Sequence, residues 1–211
     1  MMKVVTIRLV LQAAILASIF PTAGRVEESQ RDLRAKIQYC KTCHGLLGQG
    51  YRGAFPMPRL AGQQTEYFQN QLKAFIDRRR KNVFMYNVAH VLTPEMLTAL
   101  PEHFKDLNPK PLGGASRDLV AAGKKIYEDG LPEANVPACA ACHGPEAKGN
   151  GLFPRLAGQL NDYIFRKLTN WSNERGQDPA NPDTSAIMEP IAHNLTASQV
   201  EAVAAYVSYL E

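Results

Sequence analysis

The chain has 211 residues, of which 45% are hydrophobic and 21% charged, and its formal net charge is +4. This charge is small for the length, so the sequence gives no reason to expect a nucleic acid as a partner. The four cysteines occur in two closely spaced pairs, which leaves no cysteine over.

The amino terminus has the pattern of a secretory signal peptide over residues 1–24. Lys3 and Arg8 are basic, residues 9–20 are mainly apolar, and residues 22–24 are small, as a cleavage site requires. The apolar run is shorter than the roughly 20 residues of a membrane-spanning helix, so we favour cleavage over retention as an anchor. Cleavage removes both basic residues, lowers the net charge from +4 to +2 and predicts an exported protein.

The first cysteine pair lies in the sequence C-K-T-C-H, where Cys40, Cys43 and His44 follow a predicted helix over residues 27–39. The pattern C-x-x-C-H is typical of c-type haem attachment. Two thiols one helical turn apart can bond to the two vinyl groups of one porphyrin, and the adjacent imidazole can reach its iron. A redox-active cysteine pair or half of a zinc site would account for the cysteines but not for the histidine.

The second pair lies in C-A-A-C-H, with Cys139, Cys142 and His143. It predicts a second covalently bound haem c, and each motif histidine is the predicted ligand on one side of its iron. The two motifs are too far apart for one zinc ribbon. Because the haems take up all four cysteines, we expect no disulfide.

Two further blocks show that the chain contains an internal repeat. Residues 58–63 and 154–159 are both P-R-L-A-G-Q, and residues 85–93 align without a gap to residues 188–196. Three blocks in the same order indicate two copies of one domain.

A stretch rich in proline and glycine marks the boundary between the copies. We predict a first haem domain over residues 25–110, a linker over 111–115 and a second haem domain over 116–211. Each copy is small, and much of its interior must surround a porphyrin, so neither is expected to fold well without its haem.

Apolar residues recur at helical spacing throughout, and no useful length shows the two-residue period of a sheet. The fold class is therefore all-α. Besides residues 27–39, helices are predicted over residues 65–79, 116–129 and 161–172, and in the last part of each copy, up to residues 107 and 210. Thr93 and Thr196 are the expected N-caps of those last helices, and Gly130 the expected stop after residue 129.

Each iron needs a ligand on its second side, and the repeat offers two candidates in each copy. Met85 and Met188 occupy matched positions, and a thioether there gives a six-coordinate iron with a raised reduction potential. His90 and His193 are also matched, and histidine is a good haem ligand. We favour the methionines and keep the histidines as the alternative.

The second ring nitrogen of each motif histidine needs an acceptor, because ligating imidazoles are oriented by such hydrogen bonds. The carbonyl groups of Pro58 and Pro154 are the candidates, since a proline holds its own backbone angle. Pro56 competes with Pro58 in the first copy. A simple turn proline is the other interpretation.

Two polar features allow more than one interpretation. The basic run at residues 78–81 is either a solvated helix end, a partner for a haem propionate, or a docking site for an acidic protein. The matched Tyr67 and Tyr163 either bond to a propionate or pack in the core.

The order of these motifs resembles that of the two-haem cytochrome c4 group of class I c-type cytochromes, over nearly all of the mature chain. The resemblance implies two tandem all-helical cytochrome c domains related by a pseudo-twofold axis, with haems near the domain contact, propionates touching and histidine/methionine ligation of both irons.

The resemblance also implies a function, which is a periplasmic carrier that passes single electrons between redox proteins of the respiratory chain, and not an enzyme. A membrane respiratory complex or terminal oxidase is the expected acceptor, the protein is expected to be a monomer, and peripheral association with the membrane stays open. Two alternatives remain. One is the cytochrome subunit of a larger dehydrogenase, and the other is a dihaem enzyme such as a peroxidase or thiosulfate dehydrogenase.

Overall fold

The computed structural model describes residues 21–175 and 184–211, and the predicted signal peptide lies outside this part except for its last four residues. The described regular elements are helices, with isolated β-bridges and no strand, which confirms the all-α fold class. The α-helices are α1 Pro21–His44, α2 Thr65–Ile76, α3 Val83–Ala89, α4 Pro94–Lys105, α5 Val120–Asp129, α6 Ala140–His143, α7 Asn161–Thr169, α8 Trp171–Glu174, α9 Ser185–Asn194 and α10 Ala197–Ser208. Short 3₁₀ turns occupy Arg117–Leu119 and Pro132–Ala134.

The chain separates into two compact units at the boundary between Tyr39 and Cys40. In the first unit, the ammonium group of Lys36 lies 5.5 Å from the ring centre of Tyr39. Both C-x-x-C-H motifs and all the contacts that follow belong to the second unit. Within the described ranges, no helix is long and apolar enough to cross a membrane.

Each copy of the repeat has its own apolar core. In the first copy α2 packs against α3 and α4. The core side chains here are Phe68, Leu72, Phe75, Ala89 and Phe104. In the second copy α10 packs against α5 and α7. The larger members of this core are Ile126, Tyr127, Ile164, Val203, Tyr206 and Val207.

Three helix ends are formed by the capping residues that the sequence predicts. The hydroxyl group of Thr93 accepts a hydrogen bond from Met96 N at 3.3 Å, and that of Thr196 accepts one from Gln199 N at 3.3 Å. Gln199 returns a bond to the backbone of Thr196, which completes a capping box. Gly130, with a φ of 73°, ends α5. These three predictions are confirmed.

The second helix of each copy is shorter than predicted. In the first copy α2 ends at Ile76, three residues early, and Arg78 adopts a φ of +60° that no helix allows. In the second copy Asn170, with φ −115° and ψ 21°, separates α7 from α8. Each break is followed by a buried arginine, which is Arg80 in the first copy and Arg175 in the second.

The two P-R-L-A-G-Q loops bond to each other by a reciprocal set of hydrogen bonds. Gln159 accepts from Arg59 N at 2.7 Å and donates to Arg59 O at 3.1 Å. Gln63 does the same with Arg155, at 2.8 and 3.2 Å. All four side chains are buried. Exchanging the two copies maps one set of bonds onto the other, as a pseudo-twofold relation requires.

The arginines of these loops also share an acceptor. Asn108 Oδ1 lies 3.1 Å from Arg59 Nη2 and 3.2 Å from Arg155 Nη2. Burial, and then the neighbouring Arg155, lower the pKa of Arg59 to about 10. Both side chains stay cationic at neutral pH, and hydrogen bonds to carbonyl oxygens hold them: Arg59 donates to Ala61 and Pro109, and Arg155 to Ala157.

Replacing Gln63 or Gln159 by alanine is expected to lower the free energy of unfolding by about 1–3 kcal/mol, because each change leaves a buried backbone N–H and C=O without a partner. Urea unfolding followed by circular dichroism measures the loss. The reciprocal geometry predicts similar losses for the two variants. Gln64→Ala is the control, since the side-chain amide of the half-buried Gln64 donates to the loop carbonyl groups of Lys148 and Gly149 and satisfies no backbone N–H. A large loss in one variant and none in the other would contradict the prediction.

Candidate haem sites

The first motif places its histidine in a fixed orientation at the end of α1. His44 is buried, and its Nδ1 lies 2.8 Å from the carbonyl oxygen of Pro58. A carbonyl oxygen only accepts hydrogen bonds, so Nδ1 must carry the proton. The neutral ring then presents the lone pair of Nε2, which is the atom that a metal can bind. Of the two prolines considered for this role, the structure brings Pro58 to His44.

The second motif repeats this arrangement. His143 is buried at the end of α6, and its Nδ1 lies 2.9 Å from the carbonyl oxygen of Pro154. Burial lowers the pKa of both His44 and His143, and the bonds to Pro58 and Pro154 oppose this effect in part. Arg80 lowers the pKa of His44 further. Both rings are therefore neutral. In each, Nδ1 donates to a proline carbonyl oxygen and Nε2 can bind a metal.

The exposure of the two motif cysteines differs in the same way in both copies. Cys40 and Cys139 are half-buried and pack against the cores of their copies, whereas Cys43 and Cys142 are exposed. Each pair thus has one thiol on the apolar side and one at the surface, with a neutral imidazole in the next position. This donor set fits haem c, which takes two thioether bonds and one imidazole. When bound, haem c supplies an iron that changes oxidation state by one electron.

The structure places the candidate methionines on short helices that the sequence analysis did not predict. Met85 lies on α3, is half-buried and packs against the same core as Cys40. Met188 lies on α9 and is also half-buried. The competing histidines face outwards. His90 is exposed, bonds to the carbonyl oxygen of Tyr86 at 3.0 Å and stacks on the ring of Tyr86, and His193 is exposed.

Part of the basic run at residues 78–81 is not solvated. Arg78 is exposed and lies over the ring of Tyr86, but Arg80 is buried. The Arg80 guanidinium donates to Gln71 Oε1 at 2.8 Å and to the hydroxyl oxygen of Tyr163 at 2.5 Å. The interpretation as a solvated helix end is therefore wrong for Arg80.

A second buried arginine, Arg175, meets Arg80 at this point. It donates to the same Gln71 Oε1 at 2.5 Å and to Tyr67. Each arginine therefore bonds to a tyrosine from the other copy of the repeat, and the hydroxyl groups of Tyr67 and Tyr163 are not merely core groups. Among the described residues, the Nε of Arg175 is one of few buried polar atoms without a hydrogen-bond partner.

The sequence analysis missed Arg175 and Gln71. Arg80 follows Gln63 by 17 positions and Arg175 follows Gln159 by 16, so the two arginines are nearly matched in the repeat. The second copy has extra residues between Arg175 and Met188. An alignment based on the two methionines therefore does not pair Arg80 with Arg175. A comparison anchored on the P-R-L-A-G-Q blocks would have found it.

Comparisons with known proteins agree with this geometry. Residues 120–211 match the family model of cytochrome c. Cytochrome c4 of Thiocapsa roseopersicina is 36% identical over 174 residues, covering 81% of this chain and 86% of the relative. A thiosulfate dehydrogenase electron acceptor of Thiomonas intermedia (strain K12) is 33% identical over 212 residues, covering 99% and 94%.

A solved structure extends the similarity to three dimensions. The structure of Acidithiobacillus ferrooxidans cytochrome c4 superposes with a TM-score of 0.72 at 36% identity and covers 82% of this chain and 99% of its own. Two class I cytochrome c domains are therefore present, each with one C-x-x-C-H motif, and the motifs bind two haem c groups covalently. The chain belongs to the cytochrome c4 family.

Proposed function

We propose that this protein is a dihaem electron carrier that exchanges single electrons with redox proteins and carries out no bond-making chemistry of its own. The observation that supports this most directly is the equivalence of the two sites. In both copies a buried neutral histidine is oriented by a proline carbonyl, and a half-buried methionine lies at the matched position. A dihaem enzyme needs one iron with an open or exchangeable position, and this repeat favours two closed ones.

The proposed axial ligands are His44 with Met85 for the first haem, and His143 with Met188 for the second. The shared core contact of Met85 and Cys40 supports the first pair, because the thioether and the attachment cysteine then belong to one apolar compartment. The exposure of His90 and His193 argues against them, since a ligand to a partly enclosed iron must face the interior. Pro58 and Pro154 complete the two sites as acceptors for the ligating histidines.

The proposed domains are residues 25–110 and 116–211, joined by residues 111–115, after a cleaved signal peptide over residues 1–24. Because covalent haem is attached outside the bacterial cytoplasm, we propose that the mature protein acts in the periplasm as a monomer. An acceptor in the respiratory chain, such as a terminal oxidase, fits this location, and association with the membrane surface is compatible with it.

A second candidate places the protein as the electron acceptor of a thiosulfate dehydrogenase. The observation that favours it is the name of the Thiomonas intermedia relative, which aligns over almost the whole of both chains. The two candidates differ in partner and not in haem chemistry. Mixing the oxidised protein with thiosulfate and a thiosulfate dehydrogenase in a stopped-flow spectrometer separates them, because only the second predicts reduction of both haems within the enzyme's turnover time.

The carrier hypothesis itself is tested by mass spectrometry and redox titration of the purified protein. Intact mass should equal the cleaved chain plus two haems. Optical and electron paramagnetic resonance spectra should show two low-spin irons with histidine/methionine ligation that titrate as two one-electron steps. A high-spin iron in the resting protein, or rapid binding of an added ligand to one haem, would instead support an enzyme.

A further inference from the structure

Arg78 adopts a backbone conformation that is unfavourable for its residue type. Its φ of +60° lies in the left-handed region, which destabilises residues other than glycine because Cβ crowds a carbonyl oxygen. Such a conformation persists only where the surrounding structure holds it, and it occurs often at functional sites. The side chain of Arg78 is exposed, so burial does not explain why an arginine stands here. Its contacts must therefore supply the reason.

The guanidinium group of Arg78 lies over the aromatic ring of Tyr86. Its central carbon is 3.9 Å from the ring centre, well within the roughly 6 Å over which a ring face attracts a cation. Tyr86 belongs to α3, and its ring also stacks on that of His90 at 5.0 Å between centres. Arg78 N donates to the carbonyl oxygen of Phe75 at 3.2 Å, in the last turn of α2. Arg78 therefore fastens α3 to the end of α2.

Asn82 holds the same helix at its first turn. Its Oδ1 accepts a hydrogen bond from Met85 N at 2.9 Å, which makes Asn82 the N-cap of α3. This helix has only seven residues, and a helix so short is not stable without contacts that hold it. Met85, the proposed ligand of the first iron, is thus fixed twice. Its own N–H bonds to Asn82, and the next residue, Tyr86, lies under Arg78.

The second copy holds its methionine helix in another way. Glu189 stands at the position of Tyr86 and has no ring for a cation to cover. The N-cap of α9, Thr184, makes no side-chain cap hydrogen bond. Instead, the indole N–H of Trp171 on α8 donates to the carbonyl oxygen of Ser185 at 3.2 Å, at the start of α9. The contacts described above therefore concern the first haem alone.

We propose that Arg78 and Asn82 are positioning residues, which hold Met85 on its iron and slow its replacement by other ligands. Met85 packs against the core of the first copy, so α3 must shift before its thioether can leave and another ligand can enter. Each contact that this shift breaks keeps the iron closed for longer. The inference rests on the dihaem carrier and the ligand Met85 proposed above, and it adds the residues that keep the first iron six-coordinate.

The test measures how fast imidazole displaces methionine from the oxidised holoprotein in a stopped-flow spectrometer. At saturating imidazole the departure of the methionine limits the rate, so one slow phase is expected for each haem. Met85→Ala should abolish the slow phase of the first haem and Met188→Ala that of the second, which assigns the two phases.

Four variants probe the two positioning residues, and a fifth is the control. They are Arg78→Gln, Arg78→Lys, Asn82→Ala, Asn82→Asp and the control Lys81→Gln. Lys81 is an exposed cation between the two positions, so its loss removes a charge from the same surface without touching the ring. Intact mass first establishes that each variant binds two haems, and thermal unfolding shows that the fold is kept.

Arg78→Gln should accelerate the phase of the first haem about threefold, as the loss of an exposed contact between a cation and a ring predicts. Asn82→Ala should accelerate it about fivefold, as the loss of a helix cap predicts. Arg78→Lys and Asn82→Asp should stay within about twofold of the wild type, because they retain a cation and an oxygen acceptor. Lys81→Gln should change neither phase, and the phase of the second haem should be the same in all five proteins.

Two results would overturn the proposal. One is a two-haem Arg78→Gln protein whose first phase is unchanged. The other is equal acceleration of both phases, which would mean a general loosening of the fold and not the positioning of Met85. Should Asn82→Ala fail to fold, the two Arg78 variants still decide the question. If Met85→Ala leaves both slow phases in place, the ligand assignment of the carrier hypothesis is wrong instead.

Discussion

Replacing Met85 by alanine is expected to lower the reduction potential of one haem by on the order of 100 mV and to open its iron to carbon monoxide, while the other haem is unchanged. Met188→Ala should do the same to the second haem. A thioether ligand favours the reduced iron, and its loss leaves a site that water or an added ligand can fill. Because each methionine belongs to its own copy of the repeat, the two effects should be separate.

Carbon monoxide difference spectra of the reduced variants, together with redox titration, measure both effects. His90→Ala and His193→Ala are the matched controls. Both histidines are exposed, so their removal should leave spectra and potentials as in the wild type. If the histidine variants bind carbon monoxide and the methionine variants do not, the ligand assignment must be exchanged.

The second large effect concerns the contact between α5 and α10. A methyl group added at Gly123 would lie 2.6 Å from the carbonyl carbon of Ala202 and 2.9 Å from Cβ of Tyr206. The backbone of Ala202 and the Cβ atom of Tyr206 can move away only if the whole of α10 moves. Gly123→Ala should therefore destabilise the protein by roughly 3 kcal/mol. Helix propensity predicts the opposite, a gain of about 1 kcal/mol for alanine over glycine. A loss of stability would therefore show that steric overlap outweighs helix propensity at this position, and a gain would show the opposite.

Ala122→Gly is the matched control for this prediction. Ala122 precedes Gly123 on α5 and is exposed, so the reverse change should cost only the propensity difference of about 1 kcal/mol. Thermal unfolding of the three holoproteins gives the comparison. A Gly123→Ala protein as stable as the wild type would show that α5 and α10 can separate without cost.

The sequence analysis predicted those features that short stretches of chain determine. The C-x-x-C-H motifs define their chemistry within five residues, and the caps at Thr93 and Thr196 depend on donors three positions later. The all-α class and the bond from His143 to Pro154 followed from such patterns and from the repeat. The position of each of these residues could be read without knowing what it packs against.

The features that were missed depend on contacts between distant parts of the chain. The helix α3, which carries Met85, is only seven residues long and has no strong periodicity. Arg80 was part of a basic run whose local pattern favours solvent, and only Tyr163, 83 positions away, explains its burial. Arg175 has no local pattern at all, and its partner Gln71 is 104 positions away.

The paired P-R-L-A-G-Q loops limit how far the two halves of this protein can diverge. Each loop both donates hydrogen bonds to its counterpart and accepts them from it. Gln63 bonds to the backbone of Arg155, and Gln159 bonds to the backbone of Arg59. The loss of either glutamine is thus felt in the opposite half, because its side chain satisfies the backbone N–H and C=O of the arginine there. A half-length chain with one such loop would present the same donors and acceptors to an identical copy of itself, so the contact has the self-complementary form of a twofold interface between separate chains.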